Sequence, residues 1–304
     1  MKQHIILDAT MLSTLMACPR LADYRFNRNL VLKEGKSNSL EAGTLVHIIL
    51  EHFNRSLIAG NTRDVAIDHG FIAANEFLRG SYHVNNTYLC PDDDYASEKF
   101  IEQEESAKWD IGWKFVLNTM REYFDYWRND SFTVLNAEHV ITETIYEDDE
   151  LVIGWKAKFD AIVDMTNGLM PMDHKTMKQR RDSNSNNIQF MGQCFLTKSR
   201  NMMVNKIGFQ TSLKPHEKFE RSIISYTADR LAEFANEIVP HYGRMLLAYN
   251  EAENWPANFT HCENKFGACE FYKHDVCNND RRMRDETLKI YWKEGKKWDP
   301  VNND

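Results

Sequence analysis

Apolar positions recur at helical spacing over residues 39–55, where Leu45, Ile48, Ile49 and Phe53 fall on one side. Upstream, residues 9–30 read as a short helix ending at Cys18-Pro19-Arg20, because a proline disfavours helical backbone at the residue before it. Cys18 is therefore expected at a bend. From 61 to 129 the spacing is again helical and rich in aromatics, with a polar stretch between Gly80 and Tyr95 that reads as a loop. The period then changes. A strand is predicted over 133–146, and two more flank Asn167-Gly168, the strongest short-range hairpin signal a sequence offers. Side chains two apart in a strand share a face. Lys156, Lys158, Asp160 and Ile162 are thus expected to point one way, and Trp155, Ala157, Phe159 and Ala161 the other. Asp173 and Lys175 project together from the second strand of the pair. Asn184 to Asn187 offer caps for a helix through Phe190 to Asn201 with Gln189 and Gln193 on one face. Strands near 206–213 and 219–226, a long amphipathic helix over 228–251 and a tail from Trp255 complete the pattern. The order helix, three strands, helix, strand argues for an α/β fold on a mixed sheet.

At 304 residues the chain is long enough to bury a sizeable core as one elaborated domain or two small ones. Its 42% hydrophobic and 27% charged content are those of an ordinary soluble globule. No apolar run reaches the length of a membrane span and the N-terminal residues lack a signal-peptide pattern, so a cytoplasmic location is expected. In that compartment six cysteines point to metal ligation wherever they cluster, not to disulfides. The net charge of −8 argues mildly against broad nucleic-acid affinity. Three basic clusters soften the objection: Arg20 to Lys36, Lys175 to Arg181, and Arg281 to Lys297.

The chemistry concentrates in two places. An acid two residues before a lysine occurs four times, at Glu34, Asp173, Glu263 and Glu294, so the tripeptide alone means little. The copy at Asp173 differs because it ends an apolar strand whose neighbour carries Asp160. Two acids and a lysine converging there form a geometry for holding a divalent cation beside a phosphate. On the predicted helix, Gly43 precedes His47 by one turn and leaves open space beside the imidazole. A lone histidine on such a helix is more often a satisfied core or surface residue than a ligand. In the tail, Cys262, Cys269 and Cys277 form a C-x6-C-x7-C cluster that lacks one ligand. Zinc would complete a tetrahedral site with His261 or His274, whereas an iron-sulfur cubane wants a fourth thiolate, which Cys18 is able to supply. Spacing does not choose between them.

Together these residues resemble the RecB-like branch of the PD-(D/E)XK nucleases, and within it the iron-sulfur exonucleases of the AddB and CRISPR-associated type. That branch carries G-x-x-x-H on a helix, an acid after a glycine on a strand, D-x-K on the next strand and Q-x-x-x-Y on the following helix. Here the corresponding residues are Gly43 to His47, Gly154 to Asp160, Asp173-His174-Lys175 and Gln189. Gln193 departs from the pattern by standing where a tyrosine is expected.

The resemblance implies a restriction-endonuclease-like mixed sheet flanked by helices. The whole chain, 1–304, would be one elaborated nuclease domain; the helical pattern at 60–130, which has no counterpart in the family, reads as an insertion covering one side of the sheet. The catalytic sheet and its helix would occupy 132–227, and the cysteine-rich tail, 255–297, would pair with Cys18. It implies hydrolysis of DNA at ends or in single strands, with Mg²⁺ or Mn²⁺ held by His47, Asp160, Asp173 and the backbone carbonyl of His174. Lys175 would orient the attacking water or stabilise the transition state, and Gln189 would position the lysine or a phosphate. Cys18, Cys262, Cys269 and Cys277 would hold a structural [4Fe–4S] cluster, with Cys90 and Cys194 taking no part. A helicase, recombination or CRISPR partner fits such a nuclease, as does the absence of a membrane anchor. Two rival readings are a DNA-binding adaptor with an idle site, which the intact residue set argues against, and a zinc-stabilised interaction module.

Overall fold

A computed structural model of the chain describes residues 2–33, 41–83, 112–130, 132–165, 168–177, 186–210, 213–264 and 267–298. Cys90, Trp109, Asn167, the basic run from Lys178 to Arg181 and the expected loop from residue 84 onward lie outside them. Strand β1 (Gln3–Leu7) leads to Asp8, which caps α1 (Ala9–Ala17) by accepting from the amides of Thr10 and Met11 at 2.7 and 2.9 Å. The helix stops at Cys18, extended as its following proline requires, and Pro19 opens α2 (Pro19–Ala22), a π-helical turn (Asp23–Asn27) and β2 (Leu30–Leu32). Among the described residues three long helices follow, α3 (Glu41–Ile58), α4 (Arg63–His83) and α5 (Trp113–Tyr126).

The sheet region then runs β3 (Thr133–Glu147), β4 (Leu151–Met165), β5 (Gly168–Met177), α6 (Ile188–Thr197), β6 (Asn201–Gly208), α7 (Pro215–Lys218) and β7 (Phe219–Ser225). Next come α8 (Ala228–Glu233), a π-helical turn (Phe234–Ile238) and α9 (Val239–Glu251). The helical ladder widens there because Pro240 has no N–H to return to the carbonyl four residues back. The tail forms β8 (Glu263–Asn264), β9 (Gly267–Ala268), α10 (Glu270–Lys273), α11 (Arg281–Tyr291) and β10 (Trp292–Glu294). Among the described residues no helix is long and apolar enough to cross a membrane.

Two expected boundaries shift. The helix after Asn187 ends at Thr197 and not at Asn201, because Lys198 turns left-handed (φ 54°) and the Ser199 hydroxyl bonds both the amide and the carbonyl of Asn201. Strand β6 accordingly starts at Asn201, and Met202 to Val204 belong to it. The sequence reading also lacked β1 and the antiparallel pairing of β2 with β10. Both are runs of three to five residues, too short for periodicity to separate from loop.

The six-stranded sheet is mixed and flanked by helices: β1 runs parallel to β4, β5 parallel to β6, and the other neighbours are antiparallel. Strand β3 covers one edge of β4 from Val152 to Asp164. The other edge is shared, with β1 at Leu151 to Trp155 and β5 only from Ala161 to Met165. Beyond Met172, β5 leaves β4 and pairs with β6 alone, so the sheet forks beside residues 156–160 of β4.

On β6, Met202 and Val204 join the core of Trp155, Phe159, Phe190 and Phe234, while the alternate residue Ile207 joins the core of α3, α4 and α5. Helices α6 and α3 therefore cover opposite faces. Strict alternation fails at the fork. Ile162 packs with Trp155 and Phe159, whereas Ala161 and Val163 pack with Met172 and Leu57 in a separate cluster. The expectation that Ile162 shares a face with Lys156 and Lys158, and Ala161 with Phe159, is thus corrected. Asp160 stands at the change of face, directly across from Glu138 on β3, which is itself left-handed (φ 49°).

Candidate active site

At the fork the amide of His174 has no partner on β4, and the Asp160 carboxylate takes its place, accepting from that amide at 2.6 Å. One side chain thus closes the split in the ladder and is fixed at the sheet's open end. Its other oxygen lies 3.6 Å from Nδ1 of His47 on α3. Helix α3 comes close because a Cβ at Gly43 would lie 3.3 Å from Thr176 Oγ1 of β5. The glycine therefore serves helix-to-strand contact and does not leave the open space expected beside the imidazole.

From the opposite face α6 contributes Gln189 in its first turn, set by the Asn187 side chain that caps the helix. Gln189 Nε2 donates to one oxygen of Asp173 at 2.7 Å, and Lys175 Nζ lies 2.7 Å from the other. The same ammonium is 3.5 Å from Gln189 Oε1. His47, Asp160, Asp173, Lys175 and Gln189 are therefore brought together from both faces, which only the fork permits. Gln193 is fully buried and donates to the Lys158 carbonyl at 3.0 Å, so this helix position braces β4.

The electrostatics are uneven. Burial pushes the Asp173 carboxyl up, the charge of Asp160 adds to this, and Lys175 only partly offsets it. Burial acts on Asp160 in the same direction, but His47 and the His174 amide outweigh it and hold this carboxyl well below the usual range. For His47 burial opposes protonation, yet Asp160 and Asp173 raise its pKa. Burial pushes the His174 imidazole down to about 3, leaving it neutral. Two acids buried side by side with one half-exposed lysine have the unsatisfied negative field that a cation relieves.

Glu138 was not singled out in the sequence. It pairs with Lys158 Nζ at 2.6 Å, and it, His47 and Asp160 each offer a ligand atom within 4.8 Å of the others. No spacing marks it, because its position depends on the β3–β4 register.

Cys18, Cys262, Cys269 and Cys277 line one small cavity with Tyr24, Asn258, His261 and Phe271. Cys194 is buried inside α6, its thiol pushed up to about 12 by burial. The Asn258 amide donates to Cys18 Sγ at 3.3 Å, Asn258 Nδ2 to the Ala17 carbonyl at 2.8 Å, and the Arg20 amide to the Pro256 carbonyl at 3.0 Å. The ends of the chain are thus tied beside the thiols. Of the two histidines weighed as zinc ligands, His261 lines the cavity, while His274 packs on Tyr291 and Trp292. Much of the first basic cluster is spent here: Arg25 pairs with Glu270 and Arg28 with Asp285.

The model of the PD-(D/E)XK nuclease superfamily matches residues 7–273, most of the chain, and the protein belongs to that superfamily. Nuclease chemistry is thereby its class of activity. Among solved structures, one described as "Putative exonuclease" from Eubacterium rectale is 15% identical over 89% of this chain and 88% of that one, with a TM-score of 0.46. Another, of SSO0001, is 11% identical over 41% of this chain and 58% of that one, with a TM-score of 0.27. Likeness at this level adds nothing to the family assignment. None of the curated proteins matches the chain.

Proposed function

We propose that the protein is a metal-dependent DNA exonuclease that hydrolyses phosphodiester bonds at DNA ends or in single strands. The observation that carries the reading is the convergence of His47, Asp160, Asp173, Lys175 and Gln189 at the sheet fork. Carboxylate oxygens with one imidazole suit Mg²⁺ or Mn²⁺, the imidazole favouring manganese. His47, Asp160, Asp173 and the His174 carbonyl would be its ligands, and the pair of buried acids supports the fit. A divalent cation bound there supplies electrophilic activation of the scissile phosphate and of the attacking water. Lys175, its ammonium partly exposed beside Asp173, orients that water or neutralises charge growing on the phosphoryl oxygens. Gln189 holds Asp173 and the lysine in their relative positions.

The four cavity cysteines are proposed to hold a structural [4Fe–4S] cluster joining the N-terminal helices to the tail. A single zinc with bonds of about 2.3 Å would draw its sulfurs to within roughly 4 Å of one another. Yet among the described residues His47, Glu138 and Asp160 are the one set of three or more ligand groups within 4.8 Å. The wider spacing of the thiols supports the cubane. On this reading residues 1–304 form one elaborated nuclease domain, with 60–130 inserted beside the 132–227 core and the 255–297 tail closing on Cys18. The cytoplasm, and a helicase, recombination or CRISPR partner, are its proposed setting. Digestion of end-labelled linear DNA alongside a closed circle of the same sequence, with Mn²⁺ or Mg²⁺, tests the reading. Loss of the linear form alone, with mononucleotides or short oligonucleotides released, is expected; equal cutting of both forms would make the enzyme an endonuclease.

A further inference from the structure

Resting on the nuclease reading, we propose that Glu138 is a cation ligand: His47, Glu138 and Asp160 together hold one divalent ion at the sheet fork. Glu138 adds to the ligands proposed above: Asp173 already gives one oxygen to Gln189 Nε2 at 2.7 Å and has Lys175 Nζ 2.7 Å from the other. Glu138 is the further carboxylate within reach. It lies across from Asp160 in the β3–β4 register, its side chain is 8% exposed, and its ligand atom falls within 4.8 Å of those of His47 and Asp160. Its charge is met by Lys158 at 2.6 Å.

A second, independent feature points to a ligand in the same place. Arg221 has only donors, so its Nε contact at 3.3 Å fixes the oxygen of the Asn205 amide. Asn205 Nδ2 therefore faces Nδ1 of His174, at 2.8 Å, as a donor. The His174 proton then resides on Nε2, and that nitrogen is buried with no hydrogen-bond partner. Asn205 sits on β6 directly beside His174, and the His174 ring meets the His47 ring edge-on with centroids 6.0 Å apart. A buried N–H without an acceptor costs stability. An oxygen ligand of an ion held by His47, Glu138 and Asp160, such as water, is the acceptor this geometry asks for.

The test is Mn²⁺ binding by the whole protein, read from the electron paramagnetic resonance signal of free Mn²⁺, with metal-free melting temperatures as a check on folding. Glu138→Gln removes the charge at constant shape. Glu138→Asp keeps the charge but withdraws the carboxylate by one methylene. Each is expected to weaken Mn²⁺ binding by about tenfold or more. A folded variant of either kind that binds Mn²⁺ within twofold of wild type would overturn the proposal. If Glu138→Gln cleaves DNA with unaltered Mn²⁺ dependence while Asp160→Asn does not, the Glu138 assignment falls and the nuclease reading stands. If the wild type neither binds Mn²⁺ nor cleaves DNA, both fall.

Discussion

Replacing Asp173 by asparagine should remove cleavage and at the same time stabilise the metal-free protein. The carboxylate is 2% exposed and its pKa is raised first by burial and then by Asp160. Two like charges that both lie in a buried site repel by about a kcal/mol or more at an effective dielectric of about 20. Against this, the ion pair with Lys175 is worth at most about 1 kcal/mol, since that side chain is 43% exposed. The asparagine oxygen continues to accept from Gln189. The net gain is about 1–3 kcal/mol, or roughly 2–5 °C in melting temperature for a chain of this size, while cleavage falls by about a hundredfold or more. The pH dependence carries a definite sign. A carboxyl whose folded pKa lies above its unfolded one costs nothing below the ordinary carboxylate range, costs more as pH rises from there to the folded pKa of about 6, and costs no more above it. The variant's advantage in EDTA should therefore vanish below about pH 4, grow up to about pH 6 and stay level to pH 8, and saturating Mn²⁺ should favour the wild type. A variant that melts below wild type at pH 8 in EDTA would show that the buried charge is not a liability, and the electrostatic reasoning would fail.

Three further outcomes are expected. Cys18→Ser should bleach a brown, anaerobically purified protein and lower its melting temperature, whereas Cys90→Ser should leave visible absorbance and stability intact; a colourless wild type with one zinc per chain would contradict this. Gly192→Ala should destabilise by about 1–3 kcal/mol in denaturant titrations, because the new Cβ would fall 2.1 Å from Trp155 Nε1 beneath α6. Glu263→Ala and Glu294→Ala, at exposed positions that head other copies of the acid-x-lysine tripeptide, should cleave DNA at the wild-type rate.

What was legible follows from where the information resides. The Asn167-Gly168 signal and the apolar runs around it located β4 and β5, and the D-x-K spacing placed Asp173 and Lys175 on one face because period 2 is a local property. Helix spacing and a cap placed His47 and Gln189 on helices, but only the family resemblance named them as site candidates. The fork was not. It arises where β1 and β5 share one edge of β4, a long-range pairing that no window of sequence contains, and it changes the facing of β4 at Asp160. Glu138 was hidden for the same reason, since its partner across the sheet is fixed by register. Gly43 was noticed but misread: its missing side chain serves contact with Thr176 rather than space for the imidazole. The cysteine trio was visible by its spacing, but its sharing of one cavity with Cys18 required distant parts of the chain to fold together.

The central claim is that the fork residues carry out cation-dependent phosphodiester hydrolysis, and Lys175→Ala tests it most directly. Lys175 is partly exposed at a strand end, so its loss should leave folding intact. Single-turnover cleavage of end-labelled DNA at saturating Mn²⁺ should be fast for the wild type, absent in EDTA, and slower by about a hundredfold or more in the variant at unchanged Mn²⁺ affinity. A folded Lys175→Ala protein that cleaves at the wild-type rate, or wild-type cleavage that persists in EDTA, would contradict the account.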